Sequence, residues 1–232
     1  MKLYGLVGAG GFGREVMPLV NHFLKLTEQH SAYQIVFVVE QKTDETMVNG
    51  YKVLTIDEFF SYEAKQKYFN IAIANHINRK RIAELMMQKG AKPFRINASN
   101  SIELDHNEVG IGAIFCPYTT ITSNVKIGKF FHANIYSYVA HDCIIGDYVT
   151  FAPNVHCNGN VVIEDHVYVG TGVIIREGTP AKPMIIKEGA VLGMGAVITK
   201  SVSSFETVIG NPARPIIRKE HSDSIVKDTH GH

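Results

Sequence analysis

Apolar and polar positions follow two different patterns along this chain, and the change falls near residue 100. Before it, short apolar runs alternate with segments whose apolar residues recur every three or four positions, which is typical of a βαβ sheet. The pattern predicts strands over residues 2–7, 35–39 and 69–74, and helices over residues 14–26 and 79–89. Residues 1–100 are therefore expected to form a small Rossmann-like α/β domain.

Beyond Ser101 apolar residues recur at every sixth position. Twelve consecutive positions fit this spacing: Val109, Phe115, Ile121, Ile127, Ala133, Val139, Ile145, Phe151, Cys157, Ile163, Val169 and Ile175. At a hydrophobic content of 45%, chance would produce such a run less than about once in a thousand trials. A six-residue period indicates a solenoid with one short strand per repeat.

Three such repeats complete one triangular coil, so residues eighteen apart should stack inside it. One predicted column alternates large and small side chains, which fills a narrow prism without overlap: Phe115, Ala133, Phe151 and Val169. A second inward row should lie two positions earlier: Val125, Ser137, Cys143, Val149, Val155, Val161, Val167 and Val173. The sequence predicts an all-β parallel β-helix over residues 101–217 and a frayed tail over residues 218–232.

The hexapeptide units V-K-I-G-K-F, C-I-I-G-D-Y and A-V-L-G-M-G resemble those of the left-handed β-helix acyltransferases. Together with the amino-terminal G-A-G-G-F-G-R-E-V and the central A-H-D-C-I-I-G-D, they make residues 1–215 similar to bacterial nucleotide-sugar acetyltransferases related to the sialic acid O-acetyltransferases. The resemblance implies a left-handed β-helix after a nucleotide-sugar-binding domain, and a homotrimer with active sites between subunits. It also implies transfer of acetyl from acetyl-CoA to a nucleotide-linked amino sugar for a surface glycan, with a UDP-linked 4-amino sugar favoured.

Composition narrows the partners and the compartment. The chain has 23 basic and 22 acidic residues, so no net field would gather nucleic acid. No apolar run reaches the length of a membrane span, and membrane insertion is not expected. Three cysteines without a CxxC pair favour a reducing, cytoplasmic location.

The segment Gly8–Ala9–Gly10–Gly11–Phe12–Gly13 fits G-x-G-x-x-G between a predicted strand and helix, where free backbone amides can hold a phosphate. A tight turn that needs glycines for its shape is the alternative.

The resemblance makes Gly10, Gly11, Phe12 and Gly13 contacts of the nucleotide sugar, joined by Glu40 after the second strand. Gln41 stands where the family suggests a charged residue, so the identity of the nucleotide base is not predicted.

The family's histidine–acid pair maps onto His141 and Asp142, at a turn of the solenoid. The histidine would act as general base, and the aspartate would orient or support it. A surface histidine and a turn-capping aspartate are the alternatives. The family's backbone amide that polarises the thioester falls on Gly159, where a corner glycine is the alternative.

The remaining acetyl-CoA contacts that the resemblance suggests are Thr150, Gly159, Arg176, Lys182 and Arg214. Thr150 replaces a histidine found in some relatives, which puts a two-histidine mechanism in doubt. Arg176 and Lys182 belong to a proline-bearing excursion between Ile175 and Ile186, and a solvated loop is their alternative.

Other functions stay open at this point. Transfer to a hydroxyl would make the protein a sugar or sialic acid O-acetyltransferase. A nicotinamide-dependent oxidoreductase is suggested by the glycine loop, although Glu40 follows Gly13 by 27 positions. A non-catalytic scaffold is a further alternative. No metal is expected, because the histidines lack the spacing of a zinc β-helix enzyme.

Overall fold

A computed structural model describes residues 1–29 and 31–216 of the chain. The predicted tail over residues 218–232 lies outside the described residues. The elements up to residue 93 are β1 (Lys2–Val7), α1 (Gly11–Thr27), β2 (Tyr33–Val39), β3 (Met47–Val48), β4 (Tyr51–Thr55), α2 (Ile56–Ser61), β5 (Gln66–Ile71), α3 (His76–Gln88) and β6 (Lys92–Pro93).

These strands form one sheet in the order β3-β4-β2-β1-β5-β6. Strands β2 and β5 flank β1 and run parallel to it. The order reverses at β1, and the crevice beyond the carboxyl ends of strands at such a point is where open α/β sheets bind ligands. The loops after β1, β2 and β5 all reach this edge.

Both predicted helices begin three residues before their predicted starts. Helix α1 begins at Gly11 directly after the glycine turn. Helix α3 begins at His76 because the Asn75 side chain accepts a hydrogen bond from the Asn78 N–H. Pro18 lies inside α1 on the exposed side, where water can satisfy the freed carbonyl.

The predicted strand over residues 69–74 lies three residues earlier. Strand β5 is Gln66–Ile71, and it ends at Ile71 because Ile71 pairs with Val7, the last residue of β1. Residues 72–75 therefore form the loop that leads to α3.

The remaining strands are mostly two residues long. They are β7 (Ile96–Asn97), β8 (Ile102–Glu103), β9 (Glu108–Val109), β10 (Ile114–Phe115), β11 (Thr120–Ile121), β12 (Lys126–Ile127), β13 (His132–Ala133), β14 (Tyr138–Val139), β15 (Ile144–Ile145), β16 (Thr150–Phe151), β17 (His156–Cys157), β18 (Val161–Ile163), β19 (Tyr168–Val169), β20 (Ile174–Ile175), β21 (Met184–Ile186), β22 (Val191–Leu192), β23 (Val197–Ile198), β24 (Thr207–Ile209) and β25 (Arg214–Pro215).

They form the three faces of a triangular prism, and each face is a sheet of parallel strands. The first face is β7, β10, β13, β16, β19, β22 and β24, with β25 antiparallel at its end. The second face is β8, β11, β14, β17, β20 and β23, and the third is β9, β12, β15, β18 and β21. Strand β7 already pairs with β10, so the ladder begins before the predicted boundary at residue 100.

The predicted column is confirmed. Phe115 pairs with Ala133, Ala133 with Phe151, and Phe151 with Val169, and all four are buried. The second inward row is also confirmed, since each of its eight members is buried.

Corners between faces are built from left-handed residues that stack eighteen apart. Asn124, Asp142 and Asn160 have φ of 59°, 57° and 55° at the corner between the second and third faces. Asparagine and aspartate tolerate this conformation better than most residues. Phe130, Tyr148 and His166 stack at the corner between the third and first faces.

The amino-terminal domain covers the first face. The outward side chains of Ile114, His132 and Thr150 are buried there, and Ile114 and Cys116 share a core with Val16 and Tyr4. The α/β domain gives way to the β-helix near residue 96, but side chains of the two domains pack together in one hydrophobic cluster.

The excursion after β20 is an ordered turn. Thr179 and Lys182 form a two-residue hairpin with paired backbone hydrogen bonds of 3.0 Å. Ile163 pairs with Ile186, five residues beyond the usual step of eighteen, so the coil resumes its register after the hairpin.

Candidate active site

His141 and Asp142 form a hydrogen-bonded pair at the corner between the second and third faces. His141 Nδ1 lies 2.8 Å from Asp142 Oδ2, and the His141 side chain is 61% exposed. Asn124 Nδ2 donates to the other carboxylate oxygen at 3.2 Å. The hydrogen bonds from His141 and Asn124 lower the pKa of Asp142, which keeps it ionised. An Nδ1–H held by this carboxylate leaves Nε2 free to accept a proton.

Gly159 lies one coil further along, directly beside the His141 ring. A β-carbon on Gly159 would lie 2.5 Å from His141 Cε1 and 2.6 Å from Nε2. The left-handed residue of this corner is Asn160, so Gly159 is needed for the space taken by the imidazole and not for a positive φ. Among the hydrogen bonds of the described residues, none uses the Gly159 N–H. That N–H is available to a ligand beside the imidazole.

A groove of about 440 Å³ lies beside the excursion. Its lining includes Arg176, Lys182 and Lys200, which give it a basic character. The Gly178 N–H donates to the Gly159 carbonyl at 3.0 Å, so the groove adjoins the His141 corner. A second groove of about 370 Å³ shares Lys200 and is lined by Arg214. Three of the predicted acetyl-CoA residues therefore lie along two adjoining grooves.

Thr150 lies elsewhere. Its side chain points out of the first face, is buried, and lies 3.5 Å from the carbonyl of Ala74. His141 lies at the opposite edge of the prism. The structure does not bring Thr150 to the other predicted acetyl-CoA residues of the same chain.

The glycine loop divides into structural and open positions. Gly8 has a φ of 104°, and a β-carbon on Gly13 would lie 1.8 Å from the Gly8 carbonyl oxygen, so both are needed for the turn. Gly10 and Gly11 face open space. Gly10 caps α1 without a side-chain hydrogen bond, which leaves the first-turn amides open to an anion. Phe12 turns inward, and its ring centroid lies 5.3 Å from that of His132.

Glu40 follows β2 at the same edge of the sheet. Arg81 Nη2 of α3 lies 2.6 Å from one Glu40 oxygen, and the second oxygen makes no hydrogen bond within the described residues. The ion pair joins the end of β2 to helix α3.

Sequence reasoning missed a buried polar cluster between the two domains. Arg79 of α3 is fully buried, and its Nη1 lies 2.9 Å from the Ile73 carbonyl and 3.1 Å from His132 Nδ1. Its Nη2 donates to the carbonyls of Tyr148 and Val149 in the β-helix. Burial lowers the pKa of Arg79 to about 9, so it remains charged at neutral pH. Burial and this charge push the pKa of His132 well below its ordinary value. The arginine in the helical pattern gave no sign of burial, because a charged residue there usually faces water.

Two further features concern metals and membranes. Among the described residues, no cluster of three or more His, Cys, Asp or Glu side chains is arranged to hold a metal ion. In the same part of the chain, no helix has the length and apolar character needed to cross a bilayer.

Comparison with known proteins agrees with this fold. The family model described as the PglD N-terminal domain matches residues 5–86. Over 222 residues the chain is 51% identical to the GDP-perosamine N-acetyltransferase of Escherichia coli O157:H7, covering 96% of this chain and all of the relative.

Two solved structures are similar over most of the chain. WeeI from Acinetobacter baumannii AYE is 50% identical, with a TM-score of 0.89 over 93% of this chain and 100% of that one. The acetyltransferase domain of PglB from Neisseria gonorrhoeae FA1090 in complex with acetyl coenzyme A is 25% identical, with a TM-score of 0.80 over 92% and 98%.

A Rossmann-like domain followed by a left-handed β-helix defines the class of hexapeptide-repeat acyltransferases. Within that class, the chain belongs to the bacterial nucleotide-sugar acetyltransferase family.

Proposed function

We propose that this protein transfers the acetyl group of acetyl-CoA to the amine of a GDP-linked amino sugar of the perosamine type, for glycan biosynthesis. The observation that carries the proposal is the His141–Asp142 pair beside the unused Gly159 N–H. Near-complete coverage of a GDP-perosamine N-acetyltransferase at 51% identity supports the choice of substrate.

The geometry supports direct transfer. The sugar amine attacks the thioester carbon while His141 Nε2 accepts the proton that the nitrogen loses. The Gly159 N–H stabilises the negative charge that develops on the thioester oxygen. When the tetrahedral intermediate collapses, the C–S bond breaks, and the coenzyme A sulfur leaves as a thiol with the proton that His141 Nε2 had accepted. The product is an amide, and no covalent enzyme intermediate forms.

Acetyl-CoA is assigned to the two basic grooves. Arg176, Lys182 and Arg214 would meet its phosphates, and the adjoining Gly159 would meet its acetyl end. The similar PglB domain that binds acetyl coenzyme A supports this assignment. Thr150 is left out of the proposed site because its side chain is buried against the amino-terminal domain.

The nucleotide is assigned to the crevice at the carboxyl ends of β1, β2 and β5. The open amides at Gly10, Gly11, Phe12 and Gly13 suit the diphosphate. The Glu40 carboxylate has one free oxygen and accepts hydrogen bonds only. Guanine offers N–H donors at N1 and N2, so a carboxylate here favours guanine over uracil, and GDP replaces UDP as the first expectation.

A homotrimer is proposed because one chain separates the two halves of the site. The loops after β1 and β5 contact the first face through Phe12 and Ala74, whereas His141 lies at the opposite edge and is largely exposed. A neighbouring chain could supply the second wall. Exposed apolar side chains on the prism suit such an interface: Ile102, Tyr118, Tyr136, Ile144 and Ile174. The three free cysteines and the acetyl-CoA donor favour the cytoplasm.

The test is release of coenzyme A thiol from acetyl-CoA with GDP-, UDP- and dTDP-linked amino sugars. The GDP sugar should give the highest kcat/KM, and the matching GDP sugar with a hydroxyl in place of the amine should give none. The product should resist hydroxylamine, which cleaves esters. Preference for the hydroxyl sugar, or NADH binding without sugar-nucleotide binding, would contradict the proposal.

A further inference from the structure

The peptide that carries the Gly159 N–H is contacted from inside the prism by two cysteine thiols. The carbonyl of this peptide belongs to Asn158, and Cys143 Sγ donates to its oxygen at 3.1 Å. Cys157 Sγ lies 3.8 Å from the same oxygen. Both cysteines are fully buried, so the Asn158 carbonyl points into the core.

The direction of the carbonyl fixes the direction of the amide. In a trans peptide the C=O and N–H bonds point in opposite directions within one plane. Since the Asn158 oxygen faces the core, the Gly159 N–H faces outward, on the side where the His141 ring lies. The Cys143 thiol also lies 3.6 Å from the His141 carbonyl oxygen, so one sulfur touches both backbone segments of the site.

Hydrogen bonds from a buried side chain to a corner carbonyl recur inside this prism. Three inward-facing corner carbonyls accept from a side chain fifteen positions earlier: Thr122 from Asn107, Ala152 from Ser137, and Asn158 from Cys143. Among the described residues, no backbone N–H donates to the Asn158 oxygen. Loss of the Cys143 thiol would therefore leave this carbonyl only the weaker contact at 3.8 Å from Cys157 Sγ, and rotation of the peptide would relieve the lost hydrogen bond.

The side chain of Asn158 is anchored separately. Its Nδ2 donates to the Ile175 carbonyl at 2.7 Å, and its Oδ1 accepts from the Tyr138 hydroxyl at 2.9 Å. These contacts hold the residue in place, but the carbonyl orientation depends on the thiols.

We propose that Cys143 is a positioning residue, whose thiol orients the Asn158–Gly159 peptide so that its N–H meets the thioester oxygen. This inference rests on the proposed acetyl transfer. A hydrogen bond to the carbonyl also polarises the peptide and makes its N–H a stronger donor. Fixed donors of this kind stabilise an oxyanion without reorganisation during the reaction.

Cys143→Val is the decisive variant, because Val125 and Val161 occupy the same column one coil on either side and are buried. Valine therefore fits the space but cannot donate. We expect kcat to fall by about tenfold to a hundredfold, less than or similar to the loss of a whole oxyanion donor, with KM for the sugar nucleotide unchanged. Cys143→Ser should restore most of the rate, because the hydroxyl donates.

Ser137→Val is the matched control, since it removes the same type of hydrogen bond at a corner without His141. It should lower the melting temperature and leave kcat unchanged. The second readout is the infrared carbonyl stretch of bound acetyl-CoA labelled with ¹³C at the carbonyl. The stretch should lie below its value in water for the wild type and return toward that value in Cys143→Val.

The inference is overturned if Cys143→Val keeps the wild-type rate and carbonyl stretch, or if Ser137→Val loses as much activity. If the valine variant fails to fold, Cys143→Ala and Cys143→Ser replace it, and equal loss in both overturns the inference. If the wild type acetylates no amino sugar, the proposed function fails, while the carbonyl stretch still decides the role of Cys143.

Discussion

His132 Nδ1 accepts a hydrogen bond from Arg79 Nη1 at 3.1 Å, and this contact joins the β-helix to helix α3. Arg79 also binds carbonyls from both domains. The pair is fully buried without a carboxylate, so the two domains share one core in which a neutral imidazole and a charged guanidinium fix their relative position.

The buried His132 predicts that stability falls on acidification. Its pKa is well below the ordinary value in the folded state, while in the unfolded chain it takes a proton near pH 6.5. Below that pH the unfolded state binds more protons, so the free energy of unfolding decreases by up to about 1.4 kcal/mol per pH unit for this group. His132→Gln keeps an acceptor for Arg79 without titrating, and it should flatten the dependence. Urea unfolding at pH 7.5, 6.5 and 5.5 measures this, and equal slopes for both proteins would contradict it.

Gly159→Ala should damage catalysis more than stability. The added methyl would lie 2.5 Å from the His141 ring, and displacement of a catalytic group by about 1 Å costs on the order of a hundredfold in rate. Gly146→Ala is the control for sterics, because a β-carbon there would lie 2.4 Å from Asp165 Oδ1 at a corner without His141, so it should lower the melting temperature and leave kcat unchanged. Steady-state kcat and the melting temperature should separate the two. A Gly159→Ala enzyme with wild-type kcat would mean that His141 is not held where the structure has it.

Asp142→Asn should lower turnover by disturbing the orientation of His141. The carboxylate accepts from Nδ1 and so fixes the ring and its tautomer. An amide in its place can present an N–H to Nδ1 instead, so kcat should fall at least about tenfold while the KM values for both substrates change little. Steady-state kinetics at pH 7.5 measures this. A kcat equal to that of the wild type would argue that Asp142 only shapes the turn.

His141→Ala should lose about 10²- to 10⁴-fold in turnover, and a mixing experiment with it tests the shared site. Gly11→Asp places a negative charge where the diphosphate would lie, in open space. Each variant alone should be nearly inactive. In the proposed trimer, unfolded and co-refolded mixtures should regain activity, because some interfaces would combine an intact His141 with an intact crevice. His22→Ala, on the exposed side of α1, should behave as the wild type. Mixtures no more active than their components would place the whole site in one chain.

Arg176→Ala combined with Lys182→Ala should weaken binding of acetyl-CoA and leave binding of the sugar nucleotide unchanged. Removal of two cations from the 440 Å³ groove should raise KM for acetyl-CoA about tenfold or more, since charge-assisted phosphate contacts are strong. KM for the sugar nucleotide should not change. Kinetics with each substrate varied in turn will show this. An equal rise in both KM values would refute a donor-specific role.

The β-helix was predictable because a narrow prism imposes one rule on every coil. Phe115, Ala133 and Phe151 stack as the six-residue period requires. The Rossmann-like half followed only in part from ordinary strand and helix periods, because β3, β4, α2 and β6 were not predicted. The elements that were predicted differ at ends set by Gly10, Asn75 and the pairing of Ile71. These ends depend on single capping and pairing contacts, which periodicity does not contain.

The candidate site was predictable only where a motif carried it. His141, Asp142 and Gly159 came from resemblance, and the structure brings all three together. Arg79 and His132 could not be found, because their burial arises from packing between domains. Cys143 looked like a small core residue, and only the oxygen that it faces shows a second role.

The Thr179–Lys182 hairpin has a consequence for how such enzymes diversify. It adds length at one corner while the strands beyond it resume their pairing. Changes in this turn would therefore leave the pairing of the neighbouring coils intact. A different segment at this one corner could then admit a bulkier acyl donor without changes elsewhere in the β-helix.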